Sequence, residues 1–196
     1  MIKRQDRWEF AMSSLQKYHV FETPLGWLGI AWSEKGLTQL QLPSHDRTAT
    51  ERRLQRRTVD GVESDPPAWV AEIVETLRRY AAGEQVDFSS VPVDLTGIDA
   101  FRLAIYDAAR KLAFGETTTY GELATRAGYP GEARDTGQAL GQNPVPIVVP
   151  CHRILAAGNK IGGFSAPGGS TTKEKLLNME GVRVGPPPPA QTAFGF

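Results

Sequence analysis

Apolar and polar residues alternate along the first part of this chain, then recur with a helical period from residue 99 onward. Tyr18-His19-Val20-Phe21 runs into the turn signal Thr23-Pro24-Leu25-Gly26, and Trp27-Leu28-Gly29-Ile30-Ala31-Trp32 follows. Glu34-Lys35-Gly36 marks a second turn before Leu37-Thr38-Gln39-Leu40-Gln41-Leu42, so an antiparallel meander is predicted. Residues 44–66 are polar, and Arg52, Arg53, Arg56 and Arg57 would share one side of a helix, which reads as a solvated face rather than a phosphate site. Trp69, Val70, Ile73 and Leu77 predict an amphipathic helix over 67–82 stopped by Gly83, and the alternation over 86–95 predicts one more strand.

Helices dominate the second half. Asp99 can cap a helix whose Phe101, Ile105, Ala108 and Leu112 line one face, ending near Gly115. Thr119 and Glu122 have capping-box spacing at the start of a second helix that stops at Gly128. After Tyr129-Pro130-Gly131 a third runs from Ala133 to about Gln142, closed by Asn143-Pro144, and the pair has the outline of a helix-turn-helix. Ala133, Gly137 and Gly141 leave the third helix a bare stripe. Each internal glycine costs ~1 kcal/mol against alanine, so the stripe implies close approach to a neighbouring helix or to a nucleic-acid backbone. A last helix is predicted from a second capping-box pattern, Thr171 to Glu174, to Glu180-Gly181. The expected fold class is α/β. Residues 1–96 form an α/β domain with a small antiparallel sheet, 97–182 a mainly helical domain, and 183–196, with consecutive prolines, an extended tail.

Composition narrows the chemistry. Of 196 residues, 22 are basic and 22 acidic, which gives no basic surplus for long-range attraction to a polyanion. No apolar run approaches the ~20 residues of a membrane-spanning helix, and Met1 to Glu9 leads into no secretory signal. Cys151 is the only cysteine, so neither an intrachain disulfide nor a thiolate cluster is available. It stands beside His152, after the stiff apolar run Asn143-Pro144-Val145-Pro146-Ile147-Val148-Val149-Pro150. The residues alone allow a buried structural thiol or a nucleophile, the latter including a Cys-His hydrolase. A free thiol without an export signal predicts a reducing compartment, the cytoplasm.

The segment from Asn143 to Ile154 resembles the active-site signature of the O6-alkylguanine-DNA alkyltransferases, the methylated-DNA–protein-cysteine methyltransferases. The resemblance extends back through residues 114–124 and forward through Gly162-Gly163-Phe164-Ser165 and residues 173–181; Thr23 to Gly26 carries it thinly into the first half. It implies a single-turnover transferase of DNA repair that moves a methyl or small alkyl group from guanine O6 to Cys151. It implies that His152 takes the thiol proton through a water, Glu180 steadies His152, and Tyr120 assists the departing O6. Asn143 would fix the turn into the active-site segment. The carbonyls of Cys151 and Ile154 would accept from the guanine amine, Ser165 would donate toward O6, and Pro146 and Phe164 would wall the pocket. Arg134 would fill the gap left by a flipped base, with Gly137 and its stripe against the minor groove of double-stranded DNA. No cofactor, metal or membrane is expected, and the protein would act as a monomer. Two departures stand out: Asp135-Thr136 follows Arg134 where the family often has Ala-Val, and Ile105-Tyr106 stands where many members have Val-Trp.

Overall fold

The computed structural model describes residues 16–58 and 61–185; the expectations for the N-terminal segment and for the proline tail beyond residue 185 lie outside them. Strands β1 (Lys17–Thr23), β2 (Gly26–Trp32) and β3 (Leu37–Gln41) form the predicted meander. The turn between β1 and β2 is tied by Thr23, whose hydroxyl donates to the Gly26 carbonyl at 2.8 Å. Helix α1 (Arg47–Gln55) begins at Asp46, whose carboxylate accepts from Ala49 N. It lies on the sheet through Thr50 and Leu54. A Cβ on Gly29 would come within 2.9 Å of Leu54 Cδ2, so glycine in β2 is what lets this helix approach so closely.

The sheet departs from expectation at its edges. A short β4 (Val62–Glu63) pairs parallel to β1 and gives the order β3-β2-β1-β4, within the polar segment 44–66, where no strand was expected. Residues 86–95 form no strand, only a bridge from Val93 to Leu37. Val86, Phe88 and Val91 are buried against the core, which accounts for the alternation without a ladder. Helix α2 (Ala68–Ala81) buries Val70, Ile73, Val74, Leu77 and Tyr80, each apolar side chain contributing ~1.5–3 kcal/mol.

Helix α3 (Ala100–Arg110) starts on the predicted Asp99 cap but ends earlier than expected, Leu112 being buried beyond it. Strand β5 (Thr118–Thr119) leads into α4 (Tyr120–Arg126), where both halves of the Thr119–Glu122 capping box form. Helix α5 (Ala133–Gly141) packs on α4 and α3. A 3-10 turn, Cys151–Arg153, precedes β6 (Ile154–Leu155), which pairs parallel to β5. Helix α6 (Ser170–Met179) starts one residue before the predicted capping box, on Gly169 with no side-chain cap; the Thr172 hydroxyl instead donates to the Pro167 carbonyl. One buried cluster runs from Phe21 and Leu28 through Tyr80 and Ile105 to Ile154 and Leu176, so both halves share a core. Leu40 N donates to Pro144 O at 2.8 Å, joining β3 directly to the segment that precedes Cys151.

Candidate active site

Asn143 shapes the active-site segment. Its amide donates to Val149 O at 2.8 Å and to Cys151 Sγ at 3.2 Å, and its carbonyl accepts from Val145 N. This clamp holds Ile147, buried and β-branched, at φ 74°. Such a side chain rarely adopts that backbone, and the strain of ~1–3 kcal/mol persists because the clamp and the core over-determine it. The stiff proline-rich run therefore fixes where the thiol points.

Cys151 is buried to 7% exposure, yet it lines both of two adjoining openings of a cleft that share Leu140, Phe164 and Ser165. Toward α5 the cleft is lined by Tyr120, Arg134, Gly137, Gly141, Phe164 and Ser165. Toward the N-terminal half it is lined by Leu40, Gln41, Arg53, Arg57, Asn143 and Pro146. Burial pushes the Cys151 thiol up, against the Asn143 hydrogen bond and the nearby Lys173 charge, which pull it down. At neutral pH it is a thiol, and it needs a base before it can act as a nucleophile.

The residues that follow Cys151 belong to a buried polar cluster. His152 Nε2 is 2.8 Å from Glu180 Oε1, and His152 Nδ1 is buried without a hydrogen-bond partner among the described residues. Glu180 also accepts from Arg153 Nε at 2.8 Å, Arg153 Nη2 at 2.9 Å, Tyr80 Oη at 2.8 Å and Gly115 N at 3.1 Å. Burial alone would raise this carboxyl, but the His152 and Arg153 hydrogen bonds and charges hold it well below the usual carboxylate range. Burial lowers His152 despite Glu180, so its ring is neutral and able to accept a proton. The acid and its imidazole thus form one fixed unit.

On the other flank, Lys173 is fully buried and donates to the Ile154 carbonyl. Its ammonium is 3.4 Å from Tyr120 Oη and 5.5 Å from the centre of that ring. Burial brings Lys173 down to about 8 and raises Tyr120 above an ordinary phenol. Gly162, at φ 69°, lies against Tyr120, where a Cβ would come within 3.4 Å of the phenol oxygen.

Cys151, Asn143, Tyr120, Pro146, Phe164, Ser165, Gly137 and Arg134 line this cleft, whereas His152 and Glu180 are paired in the buried interior and do not line it. Three expectations change in detail. The Ser165 hydroxyl donates to Gly141 O at 2.9 Å rather than into the cleft. The Ile154 carbonyl already accepts from Lys173, and the Cys151 carbonyl from Ile154 N, leaving each one further acceptor position. The stripe of α5 is only partly covered: its Ala133 and Gly137 ends lie near Gly121 and the Tyr120 ring of α4, a Cβ on Gly137 coming within 3.8 Å of that ring, whereas a Cβ on Gly141 would meet nothing within 4 Å. It faces the open cleft.

Sequence reasoning missed Tyr80, Arg153 and Lys173. Leu176 and Leu177, three and four residues after Lys173 and both buried, were the signal that this lysine faces inward.

Comparison with known proteins shows the family. The family model described as 6-O-methylguanine DNA methyltransferase, DNA binding domain, matches residues 100–182, and the one described as its ribonuclease-like domain matches residues 16–95. A methylated-DNA–protein-cysteine methyltransferase from Mycolicibacterium paratuberculosis is 37% identical over 164 residues, spanning 84% of this chain and 92% of its own. The protein of that name from Mus musculus is 34% identical over 178 residues, 87% of this chain and 84% of its own. A crystal structure of Mycobacterium tuberculosis OGT in complex with DNA matches with TM-score 0.68 at 34% identity, covering 84% of this chain and 93% of that one. With most of both chains aligned and the lone thiol at the centre of the cleft, this chain belongs to the 6-O-methylguanine DNA methyltransferase family.

Proposed function

We propose that this protein repairs double-stranded DNA by moving a methyl or other small alkyl group from guanine O6 to Cys151 in one irreversible turnover. The observation that carries the reading is that Cys151 lines an open, glycine-lined cleft and is followed in the chain by His152, whose imidazole is anchored on Glu180.

The thiol proton passes through a water to His152 Nδ1, and the imidazolium formed is stabilised by the Glu180 carboxylate. The thiolate sulfur bonds to the alkyl carbon while the carbon–O6 bond breaks and its electron pair goes to O6. Tyr120, kept protonated by burial, gives O6 a proton, with Lys173 beside its oxygen to balance the phenolate. Guanine leaves neutral and the sulfur is left as a thioether. No bond in that product is open to hydrolysis, so the protein is consumed.

The target base must leave the stack, at a cost of a few kcal/mol. Helix α5 lies in the minor groove on its bare Gly137–Gly141 stripe, and exposed Arg134 takes the vacated place. Pro146 and Phe164 wall the base, the free acceptor position of Ile154 O takes the exocyclic amine, and Ser165 Oγ turns from Gly141 O toward O6. The protein acts as a monomer, and the need for a reduced thiol assigns its work to a reducing compartment, the cytoplasm.

Incubation with duplex containing O6-methylguanine is expected to add one methyl mass to the peptide bearing Cys151, measured by mass spectrometry. Cys151→Ala is expected to abolish transfer and keep affinity for the methylated duplex. Folded protein with no gain of mass on that peptide would refute the reading.

A further inference from the structure

The cleft has a basic lip on the side away from α5. Arg53 and Arg57 stand one turn apart on α1 and its C-terminal extension, and both line the same opening as Cys151 and Pro146. Their position is set by the fold. Bare Gly29 lets α1 lie close on β2, and the Leu40–Pro144 hydrogen bond fixes β3, and so this face, against the active-site segment. Both side chains are exposed, and neither has an acidic partner among the described residues, whereas nearby Arg47 is paired with Glu51 and Glu63. The four arginines read from the sequence as one solvated face therefore divide: Arg52 and Arg56 are exposed without lining the cleft.

Arg53 stands in the last turn of α1 and Arg57 in the turn that continues it, where Arg57 N donates to Leu54 O at 2.9 Å, so the two guanidinium groups serve one opening. A chain of zero formal net charge has no long-range pull on DNA, so its charge must work through local placement. A nucleotide that reaches Cys151 brings its own flanking phosphates to the mouth of the cleft.

We propose that Arg53 and Arg57 bind successive backbone phosphates of the strand that carries the everted nucleotide, making the N-terminal half a second DNA-contacting surface opposite α5. The inference rests on the alkyl-transfer reading above. The guanidinium groups neutralise the phosphates that enter with the base, and so hold the everted state rather than the intact duplex alone.

The test compares R53A/R57A with R52A/R56A, which removes the same charge from outside the cleft. In a Cys151→Ala background, the affinity for a duplex containing O6-methylguanine is followed by fluorescence anisotropy from 50 to 200 mM NaCl. In the cysteine-containing chain, alkylation by the free base O6-benzylguanine, which has no phosphate, is timed. R53A/R57A is expected to bind the duplex about tenfold more weakly at 100 mM NaCl, the sum of two screened contacts. Its log–log salt slope should be shallower by ~1.8, at ~0.9 per phosphate. R52A/R56A should leave that slope within ~0.5 of the parent chain. The free-base rate should be unchanged in R52A/R56A, and in R53A/R57A it should fall by much less than the duplex affinity. Equal changes in the two variants, or none in R53A/R57A, would overturn the inference while leaving the transfer reading intact. Absence of transfer from both duplex and free base in the parent chain would overturn the transfer reading, and this inference with it.

Discussion

The two sides of Cys151 are built on opposite principles. Behind it, Glu180, His152, Arg153 and Tyr80 are buried and joined by hydrogen bonds into one fixed knot. In front, Tyr120, Phe164 and Ser165 are only partly covered, α5 presents bare backbone, and Ser165 is held by a single bond to a carbonyl. The closed side cannot rearrange without stranding a charge, so it fixes the imidazole for each approach of substrate. The open side has little to lose by moving. A single-turnover protein needs both: a base that does not wander, and a floor that a planar ring can enter.

The sharpest way to break this contrast is to remove the closed side's anchor. Glu180→Gln keeps the shape but leaves the Arg153 guanidinium buried without a counter-charge. It is expected to lower stability by about 3–5 kcal/mol, read from urea midpoints at pH 7. Because the folded carboxyl is held well below its ordinary value, its contribution is whole above the unfolded carboxylate range and is lost as pH falls toward the folded value. The gap between parent and variant should therefore narrow as pH drops below ~4.5, the region where the unfolded carboxyl begins to protonate. A gap independent of pH would mean that Glu180 acts through packing alone.

A smaller effect is expected where the two sides meet. Lys173 is buried like the closed side but touches Tyr120 and the cleft. Lys173→Met removes the cation that favours the thiolate, and single-turnover transfer at pH 7 should slow about tenfold, ~1.4 kcal/mol on the barrier. The ammonium is present below about 8 and is lost as pH rises through that value. The parent's advantage over the variant should shrink across that window, measured as the ratio of their rates from pH 7 to 9. A constant ratio would place the lysine's role in packing.

How far the sequence reaches follows the range of the interactions. Local signals were legible: the meander turns, the Asp99 cap, the Thr119–Glu122 box and the apolar stripe of α2 all formed. The clustering of cleft residues was legible too, through a resemblance carried by motifs in the right order. The missed features depend on distant partners. The paired edge strand β4 consists of two exposed residues with no apolar pattern of their own. Tyr80 reads as one more core aromatic, because its acid lies 100 residues away. Arg153 and Lys173 carry no local mark of burial, since a charge is buried only when its partner is in place, and a one-dimensional pattern does not show the partner. At α6 the local pattern misled: Thr171 and Glu174 have the right spacing, but the chain enters the helix from Gly169 at φ 55° and begins one residue earlier.

The open side can be sharpened by a substitution that strengthens the fold. A Cβ at Gly141 meets nothing within 4 Å, so Gly141→Ala has space, and α5 gains the propensity difference between the two residues. That is worth up to ~1 kcal/mol toward the C-terminal end of a helix, seen as a small rise in urea midpoint. The added methyl projects along the stripe that faces the cleft, so the same variant should bind methylated duplex more weakly, by a few-fold. Reaction with free O6-benzylguanine base should hardly change, since no duplex has to lie on the helix. Stability rising while duplex affinity falls would identify the glycine as kept for what must approach the helix from outside. Parallel gains in both would show that the stripe is not where the duplex rests.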